Sequence, residues 1–148
     1  MKYLFFKILL LVCMFILNVQ VVSSQSVLGQ WKTIDDVSGN AKSILEVYKK
    51  GDRIYGKVQK ILEKGKENAL CIKCEGELKD KPVVGMQIIN GLKNSDDNEY
   101  SGGEILDPEN GKKYRCKIWV NPENPNELKV RGYLAFFYRT QTWHRVTN

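Results

Sequence analysis

Turn residues punctuate this sequence at short intervals, and between the turns apolar residues recur at every second position. That period is typical of strands with one buried and one exposed face. For example, Leu45 and Val47 alternate with Ile44, Glu46 and Tyr48, so only one face of this segment carries a charge. No convincing amphipathic helix interrupts the series. The chain is therefore predicted to be all-β.

The same pattern predicts about eight strands, which cover residues 28–34, 43–49, 53–62, 82–92, 100–106, 112–120, 127–135 and 138–146. The clearest hairpin signal is Asp107-Pro108-Glu109-Asn110-Gly111, since proline fixes one φ and Asn-Gly accepts positive φ. Short connections pair neighbouring strands antiparallel. Because an open sheet leaves two exposed edges, a small antiparallel up-and-down β-barrel is favoured over two packed sheets.

An apolar run covers residues 3–22, after Lys2 and before the small residues Ser23 and Ser24. This layout is typical of a secretory signal peptide. It predicts a signal peptide at 1–24, a single β-barrel domain at 25–148, and export to the periplasm or the outside medium. The alternative is a retained anchor, since a run of 20 residues just spans a bilayer. No second apolar stretch of that length follows, so no transmembrane segment is predicted after cleavage.

The composition of the chain is basic, with 23 Lys and Arg against 17 Asp and Glu and a net charge of +6. Two of the lysines belong to the leader, which leaves +4 for the remainder. The basic residues are scattered among apolar ones, as on an ordinary soluble surface. A nucleic-acid partner would require a basic stripe with interleaved aromatic residues. None is predicted.

Tryptophans mark both ends of the predicted barrel. Gly29 and Trp31 open the first strand, and Trp143 and Arg145 nearly end the last. Closure of an up-and-down barrel makes these two strands neighbours. We therefore expect the Arg145 guanidinium to pack over the Trp31 ring and to donate hydrogen bonds to nearby carbonyls. Gly29 would let the chain bend closely at this corner.

Gly-x-Trp on the first strand with arginine on the last resembles the signature of lipocalins and related calycin barrels. The wider ordered set, which spans nearly all of residues 27–146, resembles an uncharacterised family of exported bacterial proteins, domain-of-unknown-function family 2147. The resemblance implies a small calycin-like barrel and no established activity. The chain is shorter than typical lipocalins and lacks their helix, which argues against a roomy cavity. The set comprises Gly29-Gln30-Trp31, Asp35-Asp36, Gly39, Tyr55-Gly56, 82–85, Gly91-Leu92-Lys93, Gly103, Asp107-Pro108, Asn110-Gly111, Tyr114, 128–132, Trp143 and Arg145.

Cys71 and Cys74 lie in the longest polar connection, at residues 63–81. A local disulfide is predicted there, because an exported protein meets an oxidising compartment. Three alternatives remain: free thiols, a structural zinc site that adds Cys116 and His144, and redox chemistry, which requires the first cysteine at a helix N-terminus. Cys116 alternates with core residues, as a small buried hydrophobe does. No metal or cofactor is predicted.

Three functions are compatible with these features. The first is an exported module that binds a small apolar or amphipathic ligand at the open end of the barrel. The second is a structural or interaction protein of the cell envelope with a filled core. The third, an enzyme, is disfavoured because His144 is the single histidine and no nucleophile motif or phosphate loop accompanies it, so no catalytic residue is predicted. Phe136-Phe137-Tyr138 joins the last two strands and would form a hydrophobic rim. The candidate ligand-binding residues are all aromatic: Tyr48, Tyr55, Tyr114, Trp119, Tyr133, Phe136 and Phe137.

Overall fold

Eight antiparallel strands follow one another around a closed barrel in the computed structural model, which describes residues 26–147. The predicted leader lies outside the described residues. A single 3₁₀ turn, Gly76–Leu78, is the one helical element in the described part. The strands are β1 (Gly29–Ile34), β2 (Ala41–Lys50), β3 (Arg53–Ile61), β4 (Gln87–Asp96), β5 (Glu99–Asp107), β6 (Lys112–Asn121), β7 (Asn124–Leu134) and β8 (Phe137–Arg145).

Each strand pairs with the next along the chain, and β8 pairs with β1. The predicted all-β, eight-strand up-and-down barrel is thereby confirmed. Alternation along the strands directs one set of side chains inward, as for Cys116, Ile118 and Val120 on β6, which are all buried. The hydrophobic core therefore lies inside the barrel.

The start of the fourth strand differs from its prediction. The expected strand 82–92 begins only at Gln87, and it continues to Asp96, where a turn was predicted. Pro82 forms only an isolated bridge with Leu70. A regular ladder does not start there, because proline has no backbone N–H to donate. Gly85 has φ +86° and donates its N–H to the Val58 carbonyl, which bends the chain before β4 begins.

The pairing of β1 with β8 closes the sheet into a barrel, and side chains at this seam plug one end of it. Across this seam Trp31 pairs with Arg145 and Lys32 with His144. The Arg145 guanidinium lies 4.1 Å from the centroid of the Trp31 ring and donates to the Ser26 carbonyl at 2.8 Å. Trp31 is fully buried, and its Nε1 donates to the Val27 carbonyl at 2.8 Å. This end of the barrel is therefore plugged.

Two further features complete the closure. Gly29 has φ +122°, a conformation rarely open to other residues, and a Cβ there would lie 3.4 Å from the Arg145 guanidinium. Trp143, two residues before Arg145, is buried in the core.

Partial burial lowers the pKa of Arg145. A guanidinium nevertheless stays protonated at neutral pH, so the cation–π contact persists.

Replacing Arg145 by alanine tests this closure. We expect R145A to lower the free energy of unfolding by about 2–3 kcal/mol, because it removes a cation–π contact and charge-assisted hydrogen bonds. Arg139→Ala is the matched control, since Arg139 pairs with Asp36 on the exposed surface and should cost less than about 0.5 kcal/mol. Urea denaturation measures both changes. Equal midpoints for the two variants would contradict the role assigned to Arg145.

Candidate functional site

The two ends of the barrel differ because their connections differ. Short turns join β2 to β3, β4 to β5 and β6 to β7 at the plugged end. The other end carries the connections 35–40, 62–86, 108–111 and 135–136. We call it the open end. A cavity of about 850 Å³ opens there and extends into the barrel.

Inward-facing apolar side chains form the walls of this cavity. Small-molecule sites commonly enclose about 300–1,000 Å³, so its volume suits one such ligand. The lack of a flanking helix argued against a roomy cavity. The cavity is nevertheless roomy, because the long connection 62–86 contributes to its wall. The apolar strand residues that line it include Leu45, Val58, Ile88, Ile105, Val130 and Trp143.

Polar groups within the cavity are bonded mainly to one another. Thr33 and Ser43 share a hydrogen bond of 2.8 Å between their hydroxyl oxygens. Trp143 donates from Nε1 to the side-chain oxygen of Gln141 at 3.2 Å, and Asn110 donates to the Tyr114 hydroxyl at 3.0 Å. Within residues 26–147, every buried side-chain nitrogen or oxygen has a hydrogen-bond partner. The depth of the cavity therefore presents a largely apolar surface.

Charged side chains surround the mouth of the cavity as ion pairs. Lys42 lies 2.6 Å from a Glu109 oxygen and 3.8 Å from an Asp35 oxygen. The other pairs are Lys66 with Glu63, and Arg139 with Asp36. We call these seven residues, which all line the cavity, the mouth ion pairs.

Two of the mouth residues have perturbed pKa values. The backbone N–H of Ser38 is the main cause that lowers the pKa of Asp35, and the Glu63 side chain raises the pKa of Lys66. Both shifts favour the charged form, so both residues remain ionised at neutral pH.

The connection 62–86 forms one side of the mouth and is tied down at several points. Cys71 and Cys74 form a disulfide. The Cys71 N–H donates to the Lys81 carbonyl at 2.8 Å. Gly111, at φ +72°, leaves room for the Lys73 carbonyl, which lies where a Cβ would be. The turn between β5 and β6 thus packs directly against this connection, and Leu70, Ile72 and Val83 from it line the cavity.

The alternative zinc site is not assembled in the structure. Among residues 26–147, no group of three or more His, Cys, Asp or Glu side chains is arranged to hold a metal ion. Burial raises the pKa of the Cys116 thiol to about 12. His144 is exposed on the outer face of β8. Cys116 therefore behaves as a buried neutral side chain.

Two of the seven aromatic candidates line the cavity. Tyr114 faces inward from β6, and Phe137 lies at the mouth at the start of β8. Phe136 forms the tip of the turn between β7 and β8, is 98% exposed and does not line the cavity. Phe136 and Phe137 thus both lie at the open end, where the sequence predicted a rim.

The other four candidates lie on the outer surface and do not line the cavity, which corrects the expectation that Tyr48, Tyr55 and Tyr133 line or fill it. Tyr48 and Tyr55 stack on each other across β2 and β3, with ring centroids 5.9 Å apart. Trp119 lies beneath Arg131, at 5.0 Å from its ring centroid, and Tyr133 lies beneath Arg115 at 5.9 Å. Each of these rings alternates along its strand with residues that face the interior. The aromatic character of these residues suggested a pocket, but alternation along the strand determines whether a side chain faces the interior or the outside.

The sequence did not identify the inward polar residues or the wall formed by the connection. Gln141 and Arg139 have the same parity along β8 as the buried Trp143, and that signal could have placed Gln141 inside and Arg139 at the mouth. Residues 62–86 show no strand period, and no comparable signal marks them.

A second depression, of about 1,120 Å³, lies on the outer surface beside this connection and has charged walls that include Glu75, Glu77 and Lys113. The described residues contain no helix long and apolar enough to cross a membrane.

Comparisons with known proteins agree with this architecture. A family model described as "Uncharacterized protein conserved in bacteria (DUF2147)" matches residues 29–145. A comparison with curated protein sequences gives no match. Among solved structures, the fold is similar to protein HP1028 from the human pathogen Helicobacter pylori, which is described as belonging to the lipocalin family. That similarity has a TM-score of 0.71 at 16% identity and covers 83% of this chain and 84% of the other.

Removing the disulfide should loosen the connection 62–86 without opening the barrel. We expect the double variant C71S–C74S to be cut by trypsin between residues 62 and 86 at least about fivefold faster than wild type, because local opening controls cleavage. Far-UV circular dichroism should stay unchanged. C116A is the control and should be cut there at the wild-type rate. Identical cleavage of all three proteins would show that the disulfide does not hold this wall.

Proposed function

This chain belongs to the bacterial family DUF2147, and we propose that it is an exported barrel that binds a small apolar or amphipathic ligand in its open-end cavity. The observation that carries this proposal is the cavity of about 850 Å³. Its walls are apolar and the opposite end of the barrel is plugged by Trp31 and Arg145. A ligand would thus enter and leave by the mouth.

The chemistry of the cavity supports a ligand with two different ends. Leu45, Val58 and Val130 offer apolar contacts in the interior, whereas ions of both signs surround the mouth. An apolar chain gains free energy from burial in the interior. A polar head group would stay hydrated at the mouth, beside Lys42 or Arg139. A fatty acid or a similar single-chain amphiphile has this form.

Export is supported by the residues that precede the barrel and by the cysteines. The charged start, apolar run and small residues within 1–24 have the form of a signal peptide. Disulfides such as Cys71–Cys74 persist in oxidising compartments. The lipocalin-like fold of HP1028 is compatible with ligand binding.

We propose binding rather than catalysis for this cavity. Asp35, Asp36, Glu63 and Glu109 at its mouth are engaged in ion pairs with Lys42, Lys66 and Arg139. Asp107 accepts hydrogen bonds from Glu109 N–H and the Asn110 side chain. The single histidine, His144, is exposed on the outer face, away from the cavity lining. The arrangement offers no general base near an activated nucleophile, which acyl or group transfer would require.

Filling the cavity from Gly132 tests the proposal. Gly132 lines the cavity, and a Cβ there would lie 3.5 Å from the nearest atom, the Cβ of Tyr114. We expect G132F to weaken binding of cis-parinaric acid at least about tenfold, because the ring occupies the volume of the ligand. G132A is the matched control and should bind like wild type. Fluorescence titration measures the affinities, and circular dichroism verifies the folding of each variant.

Two results would contradict ligand binding. One is wild-type protein that shows no saturable fluorescence change with cis-parinaric acid or with lipids extracted from its host. The other is a folded G132F variant with unchanged affinity. Either result would favour the alternative function, a structural or interaction protein of the cell envelope.

A further inference from the structure

Large apolar side chains that face solvent are concentrated at the open end. Phe136 is 98% exposed, Val37 94% and Phe137 78%, and Leu70, Ile72 and Leu134 are also exposed. We call these six residues the apolar rim. The other exposed large hydrophobic residues of the described part are Leu28, Val84 and Tyr138, and Arg131 covers the Tyr138 ring. Scattered exposed hydrophobes are ordinary, whereas a cluster marks an interaction surface.

The apolar rim surrounds the cavity mouth. Val37 comes from the connection after β1, and Leu70 and Ile72 come from the connection after β3. Leu134 ends β7, Phe136 lies in the turn that follows, and Phe137 begins β8. All of them except Phe136 also line the cavity. The rim is therefore continuous with the apolar surface on which the proposed ligand would lie.

The turn that carries Phe136 has an unusual conformation. Ala135 has φ +51°, a left-handed conformation that residues with a Cβ rarely adopt, and two-residue hairpin turns normally place glycine or asparagine there. The turn nevertheless consists of alanine and phenylalanine, and the phenylalanine ring points into solvent. A strained turn that exposes an aromatic ring is a reason to expect a function for this tip.

We infer that the apolar rim docks on the surface of a lipid bilayer, so that the cavity mouth faces the bilayer. The inference deepens the proposed function, because the bilayer would be the source or the destination of the apolar ligand. A protein partner that covered the rim would seal the mouth. A bilayer instead offers an apolar phase that is continuous with the cavity, and a ligand could pass between them without crossing water.

Charge around the rim also favours a bilayer. The mouth ion pairs lie next to the rim and contain both signs: Lys42 with Asp35 and Glu109, and Arg139 with Asp36. Such a ring suits the zwitterionic head groups of a phospholipid surface, which also carry both signs. Phe136 and Phe137 would enter the interface, as aromatic residues of peripheral proteins do. Docking should therefore depend on apolar contact and little on the net charge of the lipid.

A tryptophan placed at the rim reports insertion directly. We expect F136W to show a blue-shifted emission and quenching by brominated phosphatidylcholine in vesicles. V84W is the matched control, because Val84 is exposed but is not part of the rim, and it should show neither change. Trp31, Trp119 and Trp143 are present in both variants and give a common background. Equal quenching of the two variants, or none in F136W, would overturn the inference.

Loss of docking is measured with F136S against V84S. F136S should reduce co-flotation with phosphatidylcholine vesicles at least about fivefold relative to wild type and V84S. Cis-parinaric acid affinity in vesicle-free buffer should stay within about twofold of wild type, because Phe136 does not line the cavity. Adding phosphatidylglycerol should change flotation little. Since residues 3–22 are apolar, all variants are purified from the exporting host and compared at the same N-terminus, verified by mass.

The outcomes separate docking from ligand binding. Docking that requires phosphatidylglycerol and disappears in high salt would overturn the apolar mechanism. Sedimentation that shows a dimer, dissociated by F136S, without flotation would show that a second copy covers the rim and would also overturn it. Rim-dependent flotation without any cis-parinaric acid binding would support docking while it contradicts the proposed ligand. The two proposals therefore fail in different measurements.

Discussion

Closure of the sheet between β1 and β8 is the constraint on which the rest of the molecule depends. This seam is short, with Trp31 opposite Arg145 and Lys32 opposite His144. Arg145 strengthens it by contacts beyond the ladder, since its guanidinium covers Trp31 and bonds to the Leu28, Ser26 and Pro125 carbonyls. Without this seam, β1 and β8 would be exposed edges with unpaired backbone groups. Arg145 therefore joins the strand ends and, together with Trp31, plugs the floor of the barrel.

A plugged floor determines where a ligand site can lie. The cavity opens at the opposite end, where the connections are longer and where the 62–86 segment is tied by the Cys71–Cys74 disulfide. The barrel wall is regular, but this end is assembled from irregular backbone. Binding residues commonly occupy loops held by a rigid scaffold. Here the scaffold supplies the apolar walls, and the connections supply the mouth.

Much of the fold could be predicted from the sequence, because alternation and turn chemistry are local signals. The closure of the barrel was also predictable, from Gly29, Trp31 and Arg145 at the ends of the chain. The residues of the candidate site were harder to predict from the sequence. Tyr48 shares a strand face with Glu46, and Trp119 shares one with Lys117, so parity could have placed both rings outside. The wall formed by residues 62–86 could not be inferred, because it depends on long-range contacts such as that between Lys73 and Gly111.

The arrangement of apolar surface follows from the same closure. In a barrel with a plugged floor, the inward side chains near the open end have no further layer to pack against. The half-buried Ile105 and Tyr114 therefore face an open volume, and the apolar surface continues outward to Leu134 and Phe137. Polar residues at these outer positions would have kept the mouth wet and would have closed the apolar path at the entrance. Their apolar character instead extends the interior environment to the outside, which is the physical condition for exchange of an apolar ligand with a lipid phase.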